Sequence, residues 1–266
     1  MHRALGGPRP LVLAHRGGCT LGPENTMLAF ERGRAAGADG FEIDVRLAAD
    51  GEVVVIHDAT LDRTTDARGS VSSLTAAQLA KVDAAYWFDS SGGFPLRGGG
   101  VGVPRLAEAL HAYPDAVFIV ELKEDNPDAA RRTIDVVRTA RAVDRVMIGS
   151  FSRRALKEVR RLEPDLPTGA ATSETRMALY KSRLHLPLGR PKYRAFQVPE
   201  AFGVTRVVTP QFIRTAHAAG VPVQVWTVDE EQDMRRLLEW GVDGLITDRP
   251  GVAARVVRNG STSRPR

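Results

Sequence analysis

The sequence predicts a single (β/α)8 TIM barrel with a small insertion after the second strand. Two observations carry that reading. Eight short apolar runs alternate with amphipathic stretches, the pattern of parallel strands joined by helices. The chain has 266 residues, close to the ~250 residues of a barrel of this class. A count of eight at that length favours a closed sheet over an open one.

The elements follow in order. Predicted strands cover 11–16, 40–46, 117–122, 146–150, 168–172, 195–198, 222–227 and 244–247. Predicted helices cover 25–37, 105–112, 127–141, 153–162, 210–219 and 230–240. Pro23-Glu24-Asn25-Thr26 is a helix start of the usual kind. Gly37, Gly220 and Gly241 follow helical runs where a terminating glycine belongs. Asp50-Gly51 signals a tight hairpin. A two-residue loop there would pair Asp44 with His57 across the strands. Residues 58–104, rich in Gly, Ser, Thr and Asp, break the alternation, and a long insertion of this kind usually caps a site or carries function. Residues 1–258 then form one barrel domain, and 259–266 read as a disordered tail.

Composition narrows the class. The chain is 43% hydrophobic, enough for one large core. No run approaches the ~20 apolar residues of a membrane span. The first ten residues lack the apolar region of a secretory leader. Cys19 is the single cysteine, so no intramolecular disulfide forms. Together these favour a cytoplasmic protein. The net charge of +5 suits an anionic partner or an arginine-rich soluble surface. The arginines are spread along helical segments without a nucleic-acid-binding motif.

Charged residues recur where buried strands should be apolar. His15-Arg16 follows Leu11–Ala14, Glu42 and Asp44 lie within Phe41–Val45, His57-Asp58 closes Val53–Ile56, and Glu121 and Lys123 close Val117–Val120. Buried charge is costly unless it is paired or bound to a metal. Residues two apart on a strand share a face, so Glu42 pairs with Asp44 and Glu121 with Lys123. Taken alone, each pair could be a surface-facing strand. In a barrel the helices cover the outside, and the polar side must face the mouth. Three carboxylates without sulfur suit a hard divalent cation, Mg²⁺ or Ca²⁺. His15 and His57 offer a base and an acid near neutral pH. Arg16 and Lys123 offer positive charge to phosphate oxygens. Glu24 or Asn25 either caps a helix or supports the site, and Trp226 either walls the pocket or packs in the core. Asp248 reads as a local cap or pairing partner. This constellation reads as a metal-dependent phosphodiesterase.

The chain resembles the bacterial glycerophosphodiester phosphodiesterases over residues 11–251. The carrying stretches are His15-Arg-Gly17, Pro23-Glu-Asn-Thr26, Glu42-Ile-Asp44, His57-Asp58, Thr60-Leu-Asp-Arg-Thr-Thr65, Glu121-Leu-Lys123, Ser150-Phe151, Trp226-Thr-Val-Asp229 and Gly244-Leu-Ile-Thr-Asp-Arg-Pro250. The resemblance implies a (β/α)8 barrel whose insertion corresponds to 58–104. It implies His15 and His57 as the acid–base pair, Glu42, Asp44 and Glu121 as metal ligands, and Arg16 and Lys123 as phosphate contacts. It further implies hydrolysis of glycerophosphodiesters to sn-glycerol 3-phosphate and an alcohol, with a glycerol hydroxyl attacking phosphorus first to form a cyclic phosphate. Val103-Pro-Arg-Leu-Ala107 departs from the family's usual Ile-Pro-Thr-Leu-Glu, which touches helix-start contacts rather than the chemistry.

Two rival readings stay open. Glu174–Arg194 is rich in Lys and Arg beside Leu184, Leu186 and Leu188. As a loop overhanging the mouth it would favour a phospholipase D- or C-type activity on lysophospholipid or phosphoinositide, with weak contact to anionic lipid. A non-catalytic phosphate-binding barrel would have lost a histidine or a carboxylate, and the set here is intact.

Overall fold

In the computed structural model, which describes residues 2–260, a parallel sheet curls into a barrel. Its strands are β1 (Leu11–His15), β2 (Gly40–Leu47), β4 (Val117–Leu122), β5 (Val146–Gly149), β6 (Phe196–Pro199), β9 (Val223–Trp226) and β10 (Gly244–Thr247). Their order is β5-β4-β2-β1-β10-β9-β6, and β3 (Val53–Val55) pairs with β2 off that path. A separate hairpin joins β7 (Ala201–Phe202) to β8 (Thr205–Arg206). The helices are α1 (Met27–Ala35), α2 (Ala76–Leu79), α3 (Leu106–Ala112), α4 (Pro127–Thr139), α5 (Arg153–Leu162), α6 (Thr172–Arg183), α7 (Pro210–His217), α8 (Glu231–Trp240) and α9 (Pro250–Gly260).

The fifth stave of the barrel is shorter than the predicted strand 168–172. Two isolated parallel bridges, Ile148↔Thr168 and Gly169↔Ala195, close the sheet between β5 and β6. Pro167 just before them has no amide hydrogen to extend a ladder, and α6 begins at Thr172.

Strand alternation sorts the side chains into two layers. Facing outward, Phe41, Ile43, Val45, Phe118, Val120 and Leu122 pack under the helices in the main core. Phe41 is central there, with ring centroids 4.9 Å from Phe30, 5.2 Å from Tyr113 and 5.3 Å from Phe118. Burying each such side chain contributes roughly 1.5–3 kcal/mol. Facing inward, Leu13, Ile119, Met147 and Ile246 fill the lower barrel with Ala4 and Leu5. Further along the same strands the inward positions are Glu42, Asp44 and Glu121, and this switch from apolar to charged sets the floor of the mouth. Gly40 permits the close approach of β2 and β4: a Cβ there would stand 1.9 Å from the Val117 carbonyl oxygen.

The hairpin register differs from the expected one. Val45 pairs with Val55 and Leu47 with Val53, so Asp44 stands opposite Ile56, whose amide donates to its carbonyl at 2.9 Å. The cause is a longer loop. Ala48 and Glu52 close it, and Gly51 at φ 78° takes the left-handed position that ends a three-residue turn.

Residues 58–104 run from β3 back to α3 and carry only a 3-10 turn at Val71–Ser73 and α2. They bury Leu61, Val71, Leu79 and Val103 against Val54 and Ile56 in a small core of their own. The Arg105 departure is accommodated: Glu108 accepts from the Arg105 amide at 3.1 Å and starts α3. Two other readings are corrected. The basic stretch from Glu174 is not a loop throughout, because α6 extends to Arg183. Asn259 and Gly260 belong to α9 rather than to a tail, and that helix was not predicted. The rest of the predicted tail, 261–266, lies outside the described residues. Among the described residues no helix is long and apolar enough to cross a membrane.

Candidate active site

The inward residues of β1, β2 and β4 meet at the C-terminal end of the barrel. His15, Arg16, Glu42, Asp44, His57, Glu121, Lys123 and Trp226 all line one cavity of about 130 Å³. Glu24 and Asn25 are not in its wall but support it from behind.

Glu42, Asp44 and Glu121 each turn a carboxylate oxygen into the cavity, and these atoms lie within 4.8 Å of one another. The register explains why. Asp44 is paired with Glu121 across β2 and β4, and Glu42 sits two residues earlier on the same face. Lys123 Nζ lies 2.9 Å from Glu121 and 3.3 Å from Asp44. Arg16 Nε lies 3.2 Å from Asp44, and Asn25 Nδ2 donates to Asp44 at 2.9 Å. Burial raises the Asp44 pKa, but the neighbouring Lys123 and Arg16 charges outweigh it and hold Asp44 below the ordinary range. At Glu42 the His15 and Arg16 charges are outweighed. Burial and the Asp44 charge push it up to about 8. Its Oε2 is buried without a hydrogen-bond partner. Glu121 is also raised, by burial first and then by Asp44, against Lys123.

An orphaned carboxylate oxygen beside two more carboxylates is the donor set a hard cation completes. Glu42, Asp44 and Glu121 therefore fit Mg²⁺ or Ca²⁺.

Both histidines are anchored by aspartates. His15 Nδ1 lies 2.8 Å from Asp248 Oδ1, and His57 Nδ1 lies 2.6 Å from Asp58 Oδ1. A carboxylate on Nδ1 favours the proton there and leaves Nε2 for chemistry. His15 Nε2 lies 3.8 Å from Glu42. The His57 charge is felt instead by Asp44 and Glu121, so the two rings flank different members of the cluster. Burial lowers the His15 pKa, yet the Asp248 hydrogen bond and the Glu42 and Asp248 charges outweigh it and raise it overall.

An outer ring of ions ties the insertion to the mouth. Arg63 donates to Glu24 at 2.7 and 2.8 Å and to Asp58 at 2.6 Å. Glu24 in turn accepts from Arg16 at 2.8 Å. Burial works to raise the Glu24 pKa, but these two arginines hold it low. Arg16 and Asn25 both have left-handed backbones, φ 49° and 59°, an uncommon conformation outside glycine. Hydrogen bonds from Arg16 N to Glu42 O at 2.7 Å and from Asn25 N to Arg16 O at 2.8 Å hold it.

Sequence reasoning gave Asp248 a local capping or pairing role, whereas it pairs with His15 from the other end of the chain; it gave Asp58 and Arg63 no role. Asp248 carried the same signal as the others, a polar residue just past an apolar run. Arg63 lies in the Thr60–Thr65 stretch that carries the resemblance, but no local pattern names its partners, Glu24 and Asp58, which come from β1's loop and the hairpin. Phe151 is a further wall residue, edge-to-face with Trp226 at 6.1 Å.

Comparisons with known proteins agree with this geometry. The Glycerophosphoryl diester phosphodiesterase family profile matches residues 15–252. The glycerophosphodiester phosphodiesterase of Caldanaerobacter subterraneus subsp. tengcongensis is 34% identical over 95% of this chain and 99% of its own length. That of Bacillus subtilis is 31% identical over 93% of this chain and 86% of its own length. The crystal structure of the glycerophosphodiester phosphodiesterase from Agrobacterium tumefaciens superposes with a TM-score of 0.76 at 29% identity, covering 94% of this chain and 100% of that one. The chain belongs to the Glycerophosphoryl diester phosphodiesterase family.

Proposed function

We propose that this protein hydrolyses glycerophosphodiesters to sn-glycerol 3-phosphate and an alcohol, with one divalent cation, Mg²⁺ or Ca²⁺, and His15 and His57 as the proton carriers. The observation that carries the reading is the buried, unpartnered Glu42 Oε2 within a carboxylate cluster flanked by two aspartate-anchored histidines. Family membership narrows the phosphodiester to a glyceryl one.

Glu42, Asp44 and Glu121 would hold the cation. When bound, it neutralises phosphoryl charge and polarises a coordinated oxygen. Arg16 and Lys123 border the same space and donate to non-bridging phosphate oxygens. One imidazole takes the proton from the attacking hydroxyl through Nε2, and the other returns one to the leaving oxygen. Asp248 and Asp58 hold the rings in orientation, and Asp248 also stabilises the charged form of His15. Trp226 and Phe151 wall the cavity and screen it from water.

The test is release of sn-glycerol 3-phosphate from glycerophosphocholine with Mg²⁺ or Ca²⁺, before and after EDTA. Activity abolished by EDTA and restored by the metal supports the reading. No turnover with either metal would leave a phosphate-binding barrel.

A further inference from the structure

The insertion meets the ionic frame of the mouth through Arg63. Its place is set from within the insertion. Leu61 and Thr65, two residues to either side, are both buried. The Leu61 amide donates to the Gly69 carbonyl at 2.9 Å, and Thr65 Oγ1 donates to the Leu61 carbonyl at 2.9 Å. This closed turn leaves the Arg63 side chain about half exposed, with its guanidinium against Glu24 and Asp58.

That guanidinium makes two forks at once. Nη1 and Nη2 donate to the two oxygens of Glu24 at 2.7 and 2.8 Å. Nε and Nη2 donate to the two oxygens of Asp58 at 2.6 and 3.2 Å. Beyond Glu24 stands Arg16, which donates to it at 2.8 Å and lies 3.2 Å from Asp44. Beyond Asp58 stands His57, at 2.6 Å. One side chain therefore joins a phosphate-facing cation to a proton carrier, although the two come from different loops.

We propose that Arg63 is a positioning residue that holds Arg16 and His57 at a fixed separation and leaves the Arg16 charge free for phosphate, which makes the insertion a working part of the active site. The inference rests on the phosphodiesterase reading above. The first argument is charge. Glu24 carries one negative charge, and without Arg63 that charge would fall on Arg16 alone and cancel it where the phosphate needs it. The second is geometry. Asp58 grips the His57 ring with one oxygen, and Arg63 fixes that carboxylate through both. The Arg63 hydrogen bonds are also the first cause that holds Asp58 below the ordinary carboxylate range. A lone exposed ion pair contributes little, but bidentate pairs joined in a network are the exception. Lysine presents a point charge and cannot make both forks.

The experiment uses the metal-loaded full chain. Calorimetry gives Kd for sn-glycerol 3-phosphate, and steady-state assays give kcat and KM for glycerophosphocholine. Arg63→Gln should raise Kd and KM through Arg16 and lower kcat through His57, so that kcat/KM falls about 10- to 100-fold, the scale of a misplaced catalytic group. Arg63→Lys should recover part of the Kd but little of the kcat, because charge returns without the forks. Arg68→Gln makes the same charge change on an exposed residue of the same turn and should leave all three constants unchanged. In a Glu24→Gln, Asp58→Asn background, adding Arg63→Gln should change little more, whereas a residue that merely supports its turn would cost the same in both backgrounds. Wild-type kcat/KM in Arg63→Gln, full recovery in Arg63→Lys, an equal loss in Arg68→Gln, or an equal Arg63→Gln loss in both backgrounds overturns the proposal. So does a loss that follows the urea midpoint. Absence of glycerophosphocholine turnover in the wild type would strike the catalytic reading instead, and the Kd series still judges Arg63.

Discussion

His15 and Asp248 stand 233 positions apart in the chain, and their side chains meet at 2.8 Å because β1 and β10 are neighbours in the closed sheet. Asp248 holds the ring and raises its pKa. Asp248→Asn should therefore lower the His15 pKa and reduce kcat by about tenfold or more. The pH dependence of kcat/KM checks this: the limb belonging to His15 moves to lower pH. An unmoved limb would make Asp248 a mere structural cap.

Removing either proposed proton carrier should cost more. His15→Ala and His57→Ala should each lower kcat by about 10²-fold or more, the usual contribution of a positioned acid or base. Metal affinity should stay close to wild type, because neither ring is in the carboxylate set. Steady-state kinetics beside calorimetry of Mg²⁺ and Ca²⁺ binding distinguishes the two effects.

Glu42 should make metal binding pH-dependent. Its pKa is raised to about 8 without a cation, so at neutral pH the native protein carries a proton there that binding must release. Affinity should rise with pH up to about that value and then level. Calorimetry in buffers of different ionisation enthalpy reads the released proton directly. The sign for stability is opposite. Between the ordinary glutamate range and about 8, the native state binds more protons at Glu42 than the unfolded chain does. This group's contribution in the metal-free protein therefore falls as pH rises. Glu42→Gln should shrink both dependences, leaving the part that Glu121 carries, and weaken the metal.

Phe41 is fully buried among Phe30, Tyr113 and Phe118 on the outer face of β2. Phe41→Ala should destabilise by about 3–5 kcal/mol, seen as a lower urea midpoint. Its neighbours Glu42 and Gly40 share the strand, so activity should fall at temperatures where the wild type is still folded.

The carboxylate cluster was legible because a strand has a period of two and a barrel has only one wet interior end. Any pair of charges two apart near the end of an apolar run must then face the mouth. Asp248 was read as a local cap or pair, because pairing it with His15 needs the first and last strands side by side, which no local pattern states. The hairpin register slipped by one because Asp-Gly suits both a two-residue and a three-residue turn. Helix α6 was missed because its exposed face mixes Arg with Met and Tyr. That mixture belongs to a helix wall with no protein packed on one side, and it does not show the clean apolar stripe of a covered helix.

The two-bridge closure at Thr168 and Gly169 has a mechanical consequence. β2 and β4 share six paired positions, so the side of the barrel that carries the charges is stiff. The stretch between β5 and β6 is a seam. Local opening follows the fewest backbone bonds, and amides beside this seam should exchange with solvent sooner than those of β2 and β4. Ala170, next to the seam, lines the wall of the reaction cavity. Opening there would move that wall while the carboxylates on β2 and β4 keep their spacing, which would let the barrel take ligands of different girth without detuning its charged floor.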